Sequence, residues 1–422
     1  MKKIGIILSL LLALAMLQGC SKSADSSSGS SQSTVRLVNA TIDYASLDLI
    51  VSSTKLASGV ATGSASSYAT IDSGATTFSV ERGGSGTPSA QTTLTLSKDV
   101  DYTLLAYTSG QKLQVMSLTD NEDAPASGNG KIRVSNLSSD GGSMDVYMMG
   151  DGGTLSAAST LANSVGGTTG YFEVNKGTYH VWVTTAGDKT DLRLDLPSIA
   201  ISDQQVLTLV LTGTVGGVLV DGFLVTQKGE VSARKNGSAR VRLAANITAN
   251  GSIDATANGV SLGSASRSVG SYTLVPAGTL SVSVVVNGNT VNAGNLNAEG
   301  GADLTLLAVG DGASPRFFLL NDDNRRPVSG VKLRLVNGIN GLSDNISLTA
   351  DYNLIAHDVA PGTASAAASV SSGTISLMEV NSSQANTSLY RATDVSLQSL
   401  GVYSLFMLGN NAAPTGILRR DR

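Results

Sequence analysis

One cysteine, two histidines, eight prolines and an aromatic content of 4% leave this 422-residue chain short of the groups that cross-linking and catalysis use. A single cysteine closes no disulfide within the chain, so buried apolar area has to supply the stability. With 41% hydrophobic residues there is enough of it. Charged residues make up only 14% and the formal charge is −4. A charge-poor, weakly acidic chain lacks the clustered lysine and arginine that nucleic-acid binding needs. Neither histidine begins a His-Glu-x-x-His helix motif, because Val181 and Asp358 follow them. What is abundant is glycine, at 47 residues, together with valine, threonine, serine and leucine. That mixture, with few capped runs at helical spacing, predicts an all-β protein.

The lone cysteine has a telling context. Lys2 and Lys3 precede an apolar run from Ile4 to Met16, and Leu17-Gln18-Gly19-Cys20 follows. A short basic region, a short apolar core and a small-residue cleavage site define a secretory signal. Thirteen helical residues cover about 20 Å, too short for a hydrocarbon core of roughly 30 Å. The Leu-x-Gly-Cys ending resembles the lipobox of bacterial lipoproteins. The resemblance implies cleavage after residue 19 and lipidation of Cys20, with 26 basic and 32 acidic side chains left in the mature chain. Ser21 stands where aspartate signals inner-membrane retention, so the same resemblance implies the outer membrane of a Gram-negative cell, on either its periplasmic or its surface side. Residues 20–33 hold no side chain able to anchor a core and read as a Ser-rich tether, about 45 Å long when stretched.

Beyond the tether the sequence repeats. An opening strand recurs as Val35-Arg36-Leu37-Val38-Asn39, Ile132-Arg133-Val134-Ser135-Asn136, Val241-Arg242-Leu243-Ala244-Ala245 and Leu333-Arg334-Leu335-Val336-Asn337. In three copies a tyrosine (Tyr68, Tyr171, Tyr272) precedes a glycine (Gly74, Gly177, Gly278) by six residues. The fourth copy is mostly Ala and Ser there, from Thr363 to Ser372. A late apolar strand carries a hydroxyl at its second place in every copy: Thr103, Thr208, Thr305 and Ser404. Units of about 95 residues with closely spaced turn signals predict β-sandwiches of Ig-like proportions. The expected order is a lipoprotein signal peptide at 1–19, the tether at 20–33, and repeats at 34–128, 129–232, 233–328 and 329–422. Each is large enough to fold alone, which predicts four beads on a string.

The opener Val35-Arg36-Leu37-Val38-Asn39-Ala40, the strand Met144-Asp145-Val146-Tyr147-Met148 and the turn Val275-Pro276-Ala277-Gly278-Thr279 together resemble the bacterial envelope family called domain of unknown function 4397. The resemblance implies an Ig-like fold. The family has no agreed activity, so it carries over no functional residues.

Candidate sites are few. Asp120-Asn121-Glu122-Asp123 and Asn321-Asp322-Asp323-Asn324 lie at two repeat junctions. Asp120, Asp123, Asp322 and Asp323 offer the oxygen ligands that Ca²⁺ takes, although Asp and Asn are also ordinary turn formers. Tyr68, Tyr171 and Tyr272 offer either a glycan-stacking row or partly buried core positions. The four arginines read as side chains lying over a sheet and pairing locally. His180, on the strand face shared with Trp182, and His357 occupy different places in different repeats and read as structural. Gly128-Asn129-Gly130-Lys131 lacks the spacing of a phosphate loop and reads as a turn. These readings converge on a non-catalytic, lipid-anchored envelope protein: a spacer or multivalent scaffold touching the membrane through its lipid, and an envelope or extracellular polymer or protein through its repeats. The alternative is a carbohydrate-binding or adhesion module on the cell surface, which an exposed tyrosine row would favour.

Overall fold

The computed structural model describes residues 31–247, 253–265, 267–311, 314–385 and 387–422. The signal segment, Cys20 and most of the tether lie outside the described residues. Among those described, every regular element is a strand and none is a helix.

The first repeat shows the plan. Its strands are β1 (Gln32–Asn39), β2 (Ser46–Val51), β3 (Thr54–Ala61), β4 (Ala69–Asp72), β5 (Gly74–Arg82), β6 (Pro88–Leu96), β7 (Asp101–Ser109) and β8 (Lys112–Thr119). They form two sheets, ordered β4-β1-β7-β8 and β3-β2-β5-β6. Strand β1 begins at Gln32, and Ser33 is buried with its hydroxyl on the Ser97 carbonyl, so the last tether positions belong to the sheet. An Ig constant domain seats its first two strands side by side. Here β2 lies in the opposite sheet, and β1 runs parallel to β7. The other three repeats keep that parallel pair: Asn129–Asn136 with Val206–Gly213, Ser238–Ile247 with Asp303–Gly310, and Val331–Asn337 with Val402–Asn410. In the second repeat the strand Val231–Arg234 adds a fifth member to the sheet, across the expected boundary at 232.

Each sandwich encloses its own core, such as Leu37, Phe78 and Leu104 in the first and Leu335, Ile346 and Leu405 in the fourth. Alternation along β1 explains the opener. Val35 and Leu37 face that core, and Arg36 and Val38 therefore point the other way. In a lone sandwich this second face would be wet. Here it is covered. Val38, Leu105 and Leu118 of the first repeat pack with Leu137, Val210, Phe223 and Val225 of the second. Ala244, Leu307 and Val309 of the third pack with Val336, Phe406 and Leu408 of the fourth. A sheet covered on both sides has continuously apolar strands, and all eight residues of Asp303–Gly310 are buried.

The beads-on-a-string expectation is thereby corrected: the repeats are fused as two face-to-face pairs. The pairs also touch each other. Arg325, in the junction after the third repeat, reaches Asp43 of the first at 3.1 Å, and the Arg326 amide donates to Asp140 of the second at 2.7 Å. The Thr214 hydroxyl donates to the Gly301 carbonyl at 2.8 Å. At this crossing a Cβ on Gly216 would lie 2.6 Å from the Asp303 nitrogen, and one on Gly217 (φ +82°) would lie 2.5 Å from the Arg325 nitrogen. Only glycine lets the backbones approach so closely.

Candidate functional site

The four repeated arginines and the four repeated hydroxyls turn out to be partners. The parallel register sets Arg36 opposite Thr103, Arg133 opposite Thr208, Arg242 opposite Thr305 and Arg334 opposite Ser404. In each case Nε donates to the hydroxyl, at 2.8, 2.9, 2.8 and 2.8 Å respectively. The hydroxyl passes the chain on to a carboxylate that closes the last strand of the repeat. Thr103 donates to Asp120 at 2.6 Å, Thr305 to Asp322 at 2.5 Å and Ser404 to Asp421 at 2.5 Å. In the second repeat Gln227 holds the corresponding place.

These clusters lie on the covered face, and they are exchanged between repeats. Arg242 of the third repeat donates to Asp421 of the fourth. Arg334 of the fourth donates to Asp322 of the third at 2.5 Å, and to the Asn321 carbonyl at 2.9 Å. The exchange is reciprocal, as expected of two homologous faces related by a two-fold axis. In the first pair Arg36 donates to the carbonyls of Thr226 (3.1 Å) and Gly229 in the second repeat. Gln227 answers by bonding both ways with the Glu122 backbone, at 2.7 and 2.9 Å. Arg36, Arg242, Arg334, Asp322 and Asp303 are all buried. Burial pushes the Asp303 carboxyl above its ordinary range, although Arg240 and Asn324 bond it.

The tyrosines complete the clusters. Guanidinium groups cover the rings of Tyr68, Tyr171 and Tyr272 at 4.7, 4.6 and 4.6 Å. Arg242 lies between Tyr272 and Phe406 of the neighbouring repeat, 4.6 and 5.0 Å from the two rings. The hydroxyls of Tyr68 and Tyr272 each donate to the cluster carboxylate at 2.6 Å. Burial, with those carboxylates adding to it, raises both phenols above their ordinary range. All three rings are half-buried and face inward onto arginine. They do not form the exposed stacking row that would have favoured a glycan surface.

The junction acids are drawn into the same network. Asp322 receives Tyr272, Thr305 and Arg334, and Asp323 receives Arg325 at 2.9 Å and Lys332 at 2.9 Å. Asp120 is buried beneath Tyr68 and Asp123 is exposed, so the two do not converge on one point. Among the described residues no three His, Cys, Asp or Glu side chains gather as a metal site. Calcium at Asp322 or Asp323 would have to displace guanidinium and ammonium groups, which corrects the sequence-based expectation there. Addition of millimolar Ca²⁺ is expected to move the melting temperature by no more than about 1 °C; binding at 100 times the Kd would instead add about 2.7 kcal/mol.

The remaining motif residues are structural. His180 stacks on buried Trp182 at 3.8 Å and pairs with Asp195, while His357 is exposed beside Asp358. Of the Gly128–Lys131 segment only Gly128 lies in a turn, and the strand begins at Asn129: Lys131 pairs with Glu122 at 2.5 Å, and a Cβ on Gly130 would strike Ile201, as suits a packed strand start. The Asp145 carboxylate of the Asp-Val-Tyr strand accepts from the amides of Ser164 (2.7 Å) and Gly187 (2.9 Å), tying a bulge to the next hairpin. Opener Asn39 donates to the carbonyls of Tyr44 and Val60, both at 3.0 Å, and pins the loop that follows.

A profile of the family described as "Domain of unknown function (DUF4397)" matches residues 33–147 and 239–342, and the chain belongs to this family. The two matched stretches start at the first member of each pair and run into the second. No curated protein matches the chain. Among solved structures, the Bacillus anthracis TIE protein aligns at 9% identity and a TM-score of 0.15, over 66% of this chain and 50% of its own length. A product complex of SpuA, a multi-modular glycogen-degrading pneumococcal virulence factor, aligns at 8% and 0.15, over 63% of this chain and 38% of its own. The chain thus spans about half the length of the first of these. Scores this low define neither fold nor activity.

Proposed function

We propose that this chain is a non-catalytic, lipid-anchored protein of the bacterial cell envelope whose four sandwiches act as a single interaction scaffold. The observation that carries the reading is the reciprocal exchange across each pair, of buried arginine and carboxylate between the third and fourth repeats and of Arg36 and Gln227 with backbone groups between the first and second, because it commits the chemically richest groups of the chain to cohesion. Asp322 and Asp421 hold Arg334 and Arg242 of the facing repeat in a buried interface. The faces left for partners are the outer sheets, of the β3-β2-β5-β6 type, and the sandwich ends. The four sandwiches then act as joined pairs and not as separate beads on a string. Lipid on Cys20 would hold it at the membrane, with Ser21 directing it to the outer membrane.

A Cys20→Ala variant is expected to leave the membrane fraction for the soluble fraction of broken cells. Retention in the membrane fraction would defeat the lipid-anchor reading. Protease added to intact cells, with a periplasmic control protein, then distinguishes the two sides. Digestion while the control survives makes partners extracellular; protection until the outer membrane is broken makes them periplasmic.

A further inference from the structure

Two features set the fourth repeat apart from the other three, and they are complementary. The first is a missing ring. The antiparallel register pairs Val35 with Ala69, Ile132 with Phe172, Val241 with Thr273 and Leu333 with Ala368. The residue just before each second partner therefore holds one equivalent place beside the repeated arginine: Tyr68, Tyr171, Tyr272 and, in the fourth repeat, Ala367. Where the others carry tyrosine, the fourth has a concavity of about 470 Å³, lined by Ala366, Ala367 and Ser369 and, from the junction before the repeat, by Pro327 and Val328. That size falls within the range of ligand pockets, about 300–1,000 Å³. Its charged wall residues, Asp323 and Lys332, pair with each other at 2.9 Å, so the walls ask for no charge on an occupant.

The second feature is a ring left in solvent. Tyr352 is 84% exposed, and Val328 (64%) and Leu354 (59%) are the next most exposed large apolar side chains among the described residues. Tyr352 (φ +65°) and Asp351 (φ +46°) form the turn between strands Ile346–Ala350 and Asn353–Val359. The equivalent turns are Ser52-Ser53 in the first repeat and Asn258-Gly259 in the third. Small or amide residues suit that backbone; a tyrosine there is strained and stays only where its surroundings hold it. They do: the Asp351 amide donates to the Leu377 carbonyl at 2.8 Å, and the Leu377 amide donates to the Asp351 carboxylate at 2.9 Å. Ser369 borders both the concavity and the groove lined by Asp351 and Asn353, the two neighbours of Tyr352. Ring and concavity thus share a flank of the sandwich, yet the chain's own ring does not enter.

We propose that two copies of this chain pair through their fourth repeats, the Tyr352 ring of each entering the concavity beside Ala367 of the other. The three other repeats argue the occupant, because each fills the equivalent place with a tyrosine of its own. A two-fold interface is self-complementary, with every knob on one copy answered by a slot on the other. A knob and a slot on one flank of a single repeat meet that requirement. Leu354 next to the knob and Val328 at the slot are covered in the same contact, which takes the three most exposed large apolar side chains out of water. The pairing goes beyond the scaffold reading and does not depend on the lipid anchor.

The test is analytical ultracentrifugation of the soluble, unlipidated full-length mature chain carrying Cys20→Ala, so that lipid cannot drive association. A dimer with a Kd of about 30 µM is expected, leaving single copies at about 1 µM. Each ring in its slot is worth about tenfold, and a substitution in a two-fold dimer removes both contacts. Tyr352→Ser should therefore weaken pairing about a hundredfold with an unchanged melting temperature, because Ser53 already holds that turn position in the first repeat. Ala367→Tyr supplies the ring from within the chain and should weaken pairing equally. Mixed together, the two variants keep one knob and one slot, and should associate only about tenfold more weakly than the unaltered chain. Single copies up to about 0.5 mM, pairing indifferent to either variant, or a mixture no better than its parts would each overturn the proposal.

Discussion

Replacing Arg242 with methionine is expected to destabilise the third and fourth repeats by about 3–5 kcal/mol, the typical cost of removing one partner from a buried ion pair. The guanidinium bonds Thr305 and Asp421 and lies 3.4 Å from Asp322. Without it Asp421 keeps only the Ser404 hydroxyl, and Asp322 keeps Arg334 while Asp421 is left with no cation. Methionine preserves the packing against Tyr272 and Phe406, so the loss reports charge and hydrogen bonding. Two controls identify the cause. Arg133→Met in the second repeat should cost only about 1–2 kcal/mol, since the neutral Gln227 leaves no carboxylate stranded. Adding Asp421→Asn to Arg242→Met should recover part of the loss, a coupling measurable in a double-mutant cycle. Denaturant unfolding followed through the pair's own transition is the measurement. A cost below about 1 kcal/mol would mean that the cluster is a bystander to apolar packing.

The strands were readable because alternation and turn chemistry are local. The hydroxyl at the second place of each late strand was visible as a pattern, but its partner was not. Thr103 and Arg36 are 67 residues apart and Thr305 and Arg242 are 63, and only the parallel register of first and seventh strands brings them together. The same limit hid the pairing. A run such as Leu304-Thr305-Leu306-Leu307-Ala308 reads as a buried strand, yet the sequence does not say that Leu306 faces its own core and Leu307 another repeat's. Arginine flanked by apolar residues read as lying over the sheet, which it does; what lies over the arginine is a second sandwich.

The pairing has a second large consequence, for size. A body of 392 residues packed as one unit has a radius of gyration of about 21 Å, whereas four separate sandwiches in line would give about 40 Å. The lower value is expected from small-angle scattering of a soluble, unlipidated form. It rests on contacts of different strength. Phe223, Val210 and Leu105 seal the first pair and Phe406, Leu307 and Leu408 the second, each such side chain contributing about 1.5–3 kcal/mol. Between the pairs the contacts are polar: Arg325 with Asp43, Arg326 with Asp140, and Arg422 with the Gly217 carbonyl. Asp43 and Arg325 are partly exposed, at 37% and 24% of the side chain, so their ion pair is open to screening by salt. High salt should therefore loosen pair from pair before it loosens repeat from repeat. In about 1 M salt the scattering radius should rise toward that of two tethered bodies, and each pair should keep its cooperative melt. An increase to the full four-bead value would show that the apolar faces do not hold, and no increase would move the strength of the central joint to Thr214, Gly216 and Gly301, whose backbone crossing salt does not reach.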